Sequence, residues 1–189
     1  ENLSSVRKPF DTQKYLPLVK RIQKAGIRVV GYFMLGFDHD TKASFDHIFD
    51  FVKASGIAYP LLNILVPIPG TPLFDRMRRE GRLDLPDVES FMRKQPLYSI
   101  PCNRAYYEPK QMTRRELEDG YMDLVGRLAS FKEILRRTLV HPGTHSLAIL
   151  KMNLSFRRDH LRMASTYAER RAAEDAAEQV QPVFMAASA

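Results

Sequence analysis

The chain has 189 residues, with 29 Lys and Arg against 22 Asp and Glu, for a formal net charge of +7. A composition of 44% hydrophobic and 27% charged residues excludes a disordered or fibrous class, and no apolar run is long enough to cross a bilayer or to read as a secretory leader, so a cytoplasmic setting is expected. One cysteine, Cys102, excludes a disulfide framework and cannot alone hold zinc or an iron–sulfur cluster.

The first residue is not Met, and residues 1–10 read as a loop entering a helix, so a fragment of a longer protein is expected. Asp11 or Thr12 is placed to cap a helix in which Tyr15, Leu18, Val19 and Ile22 follow a helical spacing and Gly26 ends the run. A strand over Ile27 to Leu35 follows. Its apolar residues do not alternate cleanly with polar ones, which predicts burial on both faces within a parallel sheet. Asp40 or Thr41 then caps a helix carrying Phe45, Ile48, Phe49 and Val52, stopped by Gly56. A second strand over 61–66 leads into Pro67-Ile68-Pro69-Gly70, after which Thr71 as cap and Pro72 in the first turn open a short helix closed by Gly81.

Helix–strand–helix–strand–helix with short connections predicts a parallel sheet with right-handed crossovers. Two strands are too few to bury themselves, so further strands are expected from preceding sequence. In such sheets ligands gather at the carboxyl ends of the strands, which directs attention to Gly36 and Pro67.

Residues 82–112 are irregular and apolar, and are expected to strap over the barrel. Thr113 to Glu116 is a capping box opening a helix expected to continue through Leu117, Tyr121, Leu124, Leu128 and Leu135 to about Leu139. His141-Pro142-Gly143 breaks it. A second amphipathic helix is expected over about 144–171, and the Ala-rich end from 172 to 189 reads as frayed or disordered. Between Lys132 and Arg171 nine basic residues face three acidic ones, so most of the charge lies there. That helix has three readings: a solvated basic face on the barrel, peripheral contact with an anionic membrane, or attraction to nucleic acid. Few aromatics interleave its charges, which makes nucleic acid the least favoured.

Met34-Leu-Gly-Phe-Asp-His-Asp-Thr41 resembles the fifth-strand motif of the radical SAM superfamily, and Val66-Pro-Ile-Pro-Gly-Thr-Pro-Leu73 its sixth-strand counterpart. With Glu80-Gly-Arg-Leu83, Pro109-x-x-Met112, Leu117 and Gly120-Tyr121, the spacing is most similar to cobalamin-binding radical SAM proteins, including the group associated with hopanoid biosynthesis. The resemblance implies an α/β fold, the C-terminal half of a partial (β/α)6 TIM-like barrel over 1–81. An extension follows at 82–140, then a basic helix over 141–171 and a tail over 172–189. It also implies S-adenosylmethionine, a [4Fe-4S] cluster that cleaves it reductively to a 5′-deoxyadenosyl radical, and cobalamin. The reaction class would be radical methylation or related hydrogen abstraction on a small or lipid-like substrate.

The cluster's Cys-x3-Cys-x2-Cys loop is not in this sequence, so the chain is expected to be inert alone, to need the N-terminal half of the same protein, and to supply no catalytic or metal-binding residue. The cofactor-binding residues expected by resemblance are Met34, Gly36, Phe37, Asp38, Val66 and Pro67. Gly36 would admit adenosine close to the strand end, and Met34 and Val66 would give apolar contact. Asp38 or Asp40 would accept from a hydroxyl, Asp40 being equally well explained as a helix cap. One departure stands: where the superfamily often has a second glycine four residues before Gly36, this chain has Tyr32, with Gly31 one place off. The competing readings are a non-catalytic interaction module and a radical SAM enzyme that modifies tRNA. Asp38-His39-Asp40 lacks a second ligand cluster, and Pro142-Gly143 spoils the helical spacing of His141 and His145.

Overall fold

A parallel strand pair with helices on one face organises the chain. The computed structural model describes residues 14–84, 103–139 and 146–186, with side chains described up to residue 176. The elements are α1 (Tyr15–Lys24), β1 (Val30–Leu35), α2 (Ala43–Ser55), β2 (Tyr59–Ile64), α3 (Pro72–Arg79), α4 (Arg114–Leu128), α5 (Phe131–Leu139) and α6 (Ser146–Ala186). Asp11, Thr12, most of the expected strap (85–102, with Cys102), the His141–His145 segment and 187–189 lie outside the described residues.

β1 and β2 pair in parallel, with Tyr32 opposite Leu61 and Met34 opposite Asn63. The α/β class with parallel strands is as expected, although β2 begins two residues earlier than the sequence suggested. Among the described residues, burial of the strand pair is confined to one face. Leu35, Leu62 and Ile64 enter a core with Phe45 and Val52 of α2 and Leu117, Tyr121, Leu124, Val125 and Leu128 of α4. The alternate positions Val30, Tyr32, Met34 and Leu61 are 36% to 60% exposed. Apart from Tyr59, whose ring packs edge-on against Phe156 of α6 at 5.6 Å, the described helices lie against one side of the sheet, so the period-2 geometry of a strand leaves most of the other side bare.

The punctuation residues act as their chemistry dictates. Gly56 ends α2 at φ 65°, the left-handed position that terminates helices. Thr71 Oγ1 accepts the Phe74 amide hydrogen at the start of α3, with Pro72 in its first turn. The Thr113–Glu116 capping box at α4 has both reciprocal bonds. Gly120 lets α4 sit against α2: a β-carbon there would stand 2.3 Å from the Phe45 ring.

β1 begins at Val30, three residues later than expected, and three further boundaries differ. Asp40 does not cap α2, whose first flanking residue is Lys42; it holds the preceding loop instead. The helix expected to run to Leu139 breaks at Ala129–Ser130. There the Ser130 hydroxyl accepts the Glu133 amide hydrogen, and Arg157 of α6 donates to the Ala129 carbonyl, so the freed backbone groups are satisfied. The Ala-rich end, expected to fray from residue 172, continues α6 to Ala186, in keeping with alanine's helix propensity and the Arg115–Asp175 ion pair at 2.8 Å. The flanks of residues 85–102 meet as a short antiparallel contact: Leu83 bridges Tyr107, Asp84 N–H donates to Tyr106 O, and Glu108 N–H donates to Arg82 O.

Candidate functional site at the open face and tips of the strands

The sheet has one closed edge and one free edge. Val29 O and Leu35 O accept from the amides of Ala58 and Leu65, which flank β2, and this places the odd-numbered groups of β1 on the shared ladder and turns those of Val30, Tyr32 and Met34 outward. The same phase turns the even-numbered groups of β2 to its far side. Pro60 stands there, where a missing N–H costs no ladder bond, and Leu62 O there accepts the Tyr121 hydroxyl hydrogen at 3.1 Å. β2 is therefore an edge strand sealed by α4. Among the described residues, no strand lies beside β1 on its outer edge.

The bare sheet face is apolar with one polar pair. Val30, Tyr32, Met34 and Leu61 present their side chains, and Asn63 Nδ2 donates to the Tyr32 hydroxyl oxygen across the two strands. That leaves the Tyr32 O–H to donate and the Asn63 Oδ1 to accept. Leu61 and Asn63 were not singled out from the sequence, and Tyr32 entered there only as a departure from the superfamily's second glycine. The signal was the register itself, because Tyr32 and Met34 share parity and Asn63 is the one amide in an apolar run.

At the tip of β1 the chain is held rigidly. The Asp40 Oδ2 accepts from the amides of Gly36 (2.8 Å) and Phe37 (2.9 Å), and its Oδ1 accepts from Ser44 Oγ. Gly36 O accepts the Tyr107 hydroxyl hydrogen at 2.5 Å. Gly36 has φ 97°, and a β-carbon there would meet the Tyr107 oxygen at 2.1 Å and Leu117 at 3.0 Å. The glycine expected to admit adenosine thus has a reason inside the fold: it admits Tyr107. Burial raises the Tyr107 pKa above the ordinary tyrosine value, so the hydroxyl stays a donor.

Asp38 sits in a cluster of cations, with Arg82 at 2.9 Å, Arg76 at 3.0 Å and Lys110 at 3.4 Å, while Arg82 also contacts Glu80 at 2.9 Å. Burial works against the Asp38 charge, but the Arg82 hydrogen bond and the fields of Arg82, Arg76 and Lys110 outweigh it and hold the pKa below the ordinary value. Asp38 is thereby engaged within the protein. Phe37 leans on the main core, Val66 on the small cluster of Phe74 and Tyr106, and Pro67 is buried. Of the six residues expected to bind cofactor, Met34 is the one that stands on the open face.

A separate polar cavity of about 430 Å³ is lined by residues that include Asp84, Arg104, Arg114, Glu118 and Arg171. Two of its arginines are matched by carboxylates, in Arg114–Glu108 (3.2 Å) and Arg171–Glu174 (3.1 Å). Among the described residues no group of three or more His, Cys, Asp or Glu is placed to hold a metal ion, and no helix is long and apolar enough to cross a membrane.

The described structure is a parallel β-α-β unit with one open, mostly apolar sheet face, compatible with part of an α/β domain. No family model matches the chain. It is 29% identical over 128 residues to the bacteriochlorophyllide d C-12(1)-methyltransferase of Chlorobaculum tepidum, covering 66% of this chain and 25% of that protein. It is 29% identical over 130 residues to the bacteriochlorophyllide d C-8(2)-methyltransferase of the same organism, covering 69% and 27%. Over 65 residues it is 42% identical to the hopanoid C-2 methylase of Rhodopseudomonas palustris, covering 34% and 12%. The chain is similar to these methyltransferases, which supports the resemblance to cobalamin-binding radical SAM proteins first drawn from its motifs. It spans about a quarter of the length of the two bacteriochlorophyllide enzymes.

Proposed function

We propose that β1 and β2 are the closing staves of a radical SAM barrel, and that their open face forms part of the wall against which S-adenosylmethionine and an apolar substrate meet in a cobalamin-dependent methyl transfer. The observation that carries this reading is the asymmetry of the sheet. Among the described residues, β2 is sealed by Pro60 and Tyr121, β1 has no further strand beside it, and the face opposite the helices is apolar and largely uncovered. Further parallel strands added along β1 would turn that face into a barrel interior. The partner segment would be a β/α portion of the same protein, pairing through the outward groups of Val30, Tyr32 and Met34.

The residues of the face suit an adenosyl group and an apolar substrate. Met34 and Leu61 offer contact that excludes water, and the Tyr32–Asn63 pair offers one donor and one acceptor for orientation. Gly36 and Phe37 hold the backbone of the strand tip through Asp40 and Tyr107, which fixes where Met34 points. S-adenosylmethionine, when bound, supplies the methyl group. With Cys102 as the one cysteine, the ligands of an iron–sulfur cluster are not among these residues. Relatives named for methylating a bacteriochlorophyllide and a hopanoid support an apolar substrate class.

Equilibrium binding of radiolabelled S-adenosylmethionine to the purified protein tests the reading, with Met34→Asp and Leu61→Asp as variants of the open face and Leu135→Asp as a control on α5. The reading requires that the first two lose binding and the third keep it. Equal loss in all three, or binding indifferent to Met34 and Leu61, removes the assignment.

A further inference from the structure

Two apolar stripes on α5 and α6 remain after the core is accounted for. Phe131, Leu135 and Leu139 recur every four residues on α5, and Leu147, Leu154 and Leu161 every seven on α6. All six are exposed, by 40% to 64%. At about 100° per residue, each set follows a single line along its helix. The two lines are joined by Arg157, which lies between Leu154 and Leu161 in sequence. Its guanidinium covers the Phe131 ring at 4.2 Å and donates to the Ala129 carbonyl at 2.9 Å.

Cations border these stripes. Lys151 and Arg158 each stand four residues after a leucine of the α6 line, Arg162 follows Leu161, and Lys132 follows Phe131; all four are exposed. Among the described residues, no carboxylate lies within ion-pair distance of Lys132, Lys151 or Arg162, and the carboxylate beside Arg158 is its exposed neighbour Asp159 at 3.7 Å. The inward arginines of the same helix are different: Arg170 pairs with Glu118 and Arg171 with Asp119 of α4. Neutralised cations therefore face the protein, and largely unneutralised ones flank exposed leucines.

We propose that the α5–α6 face docks on an anionic lipid bilayer, lying in the headgroup region with its leucines inserted and Lys132, Lys151, Arg158 and Arg162 against lipid phosphates. Leucine every seven residues also suggests a coiled coil with a second copy, but the adjoining seam would be Lys151, Arg158 and Ser165, or Leu150, Arg157 and Ala164. The first is polar, and the second is spoiled by an arginine and by a small alanine already packed on the core. Nucleic acid would use the cations and leave the leucines idle. An interfacial helix uses both. The surface is independent of whether the open sheet face takes S-adenosylmethionine.

Sedimentation of the 189-residue chain with vesicles tests this, using phosphatidylcholine alone and phosphatidylcholine carrying about one-third phosphatidylglycerol. The chain should partition onto the anionic vesicles and be released by salt. The triple variant Lys151→Glu, Arg158→Glu, Arg162→Glu should weaken partition roughly a hundredfold. Leu147→Ser with Leu154→Ser should weaken it by about tenfold or more. Both variants should keep the wild-type far-ultraviolet circular dichroism, the sites being exposed. The proposal is overturned by a folded chain that ignores anionic vesicles at low salt, or by partition indifferent to the leucines. It is equally overturned by preferential binding of an RNA oligonucleotide, or by a dimer in light scattering that Leu154→Ser dissolves while vesicles go unbound.

Discussion

The hydroxyl of Tyr107 donates to the carbonyl of Gly36 at 2.5 Å, joining residues 71 apart in sequence, and occupies the space a β-carbon at position 36 would need. The segment after residue 102 thus locks the strand tip where the candidate site begins. Tyr107→Phe keeps the ring and leaves the buried Gly36 carbonyl without its donor, which costs about 1 to 3 kcal/mol. Urea unfolding should report that loss with an unchanged denaturant slope, and no loss would show the bond to be idle.

Gly36→Ala is expected to be worse than Tyr107→Phe. It combines φ 97°, which an L side chain rarely adopts, with a contact on the Tyr107 oxygen. Combining Gly36→Ala with Tyr107→Phe should recover part of the stability, because the oxygen is gone while the backbone strain stays. A strictly additive double variant would mean the two residues do not oppose one another.

Gly120 and Phe45 set the α2–α4 distance. Gly120→Ala places a methyl 2.3 Å from the Phe45 ring and should destabilise by about 1 to 3 kcal/mol. Adding Phe45→Leu should give back some of that loss. Thermal melts of the single and double variants check it, and a neutral Gly120→Ala would mean that α2 and α4 are not in contact there.

Arg137 is fully buried on α5, and its Nε and one terminal nitrogen donate to Asn153 Oδ1 at 3.1 and 2.8 Å, with Leu128 O a further acceptor at 2.7 Å. Burial pushes its pKa down to about 10, the mark of a charge held at a cost. Asn153 Nδ2 in turn donates to Ala58 O and Ile149 O, so this pair fastens α5 and α6 to the start of β2. Asn153→Ala strips the guanidinium of its main acceptor and should cost about 3 to 5 kcal/mol. Arg137→Met should be milder than Asn153→Ala, and the reverse order in denaturant melts would contradict this account.

Asp38 carries a pH signature. Its folded pKa lies below the ordinary aspartate value of 3.8, so the stability it adds is complete above that value and is lost as pH falls through the lower, folded one. Asp38→Asn should therefore lower Tm at neutral pH, and the gap to wild type should close as the pH is taken from about 6 to about 3. A gap constant across that range would show that the Arg76–Arg82–Lys110 cluster does not act on Asp38.

Local grammar was legible in the sequence. Thr71-Pro72, Gly56 and the Thr113–Glu116 box placed helix ends because each satisfies a specific backbone group with residues nearby in sequence. The parallel order of β1 and β2 followed from short connections. What escaped depended on distant or hidden partners. The open face was masked because Val30, Tyr32 and Met34 are as apolar as their buried neighbours, so alternation left no polar trace. The break at Ser130 depends on Arg157, 28 residues from the carbonyl it satisfies. The expected site was drawn from the two strand tips, Met34 to Asp38 and Val66 to Pro67; the internal contacts of Gly36, Asp38 and Val66, and the exposed surface built from alternate residues of the two strands, depend on packing that the sequence does not display.

The most direct measurement of the central claim is a titration of the protein, labelled at its methionine methyls and backbone amides, with S-adenosylmethionine and S-adenosylhomocysteine, followed by nuclear magnetic resonance. The account predicts saturable shifts at the Met34 methyl and at the amides of Tyr32, Leu61 and Asn63, with the core methyl of Met77 unmoved. Shifts confined to other surfaces, or none at saturating ligand, would contradict the assignment of the open strand face as a binding wall.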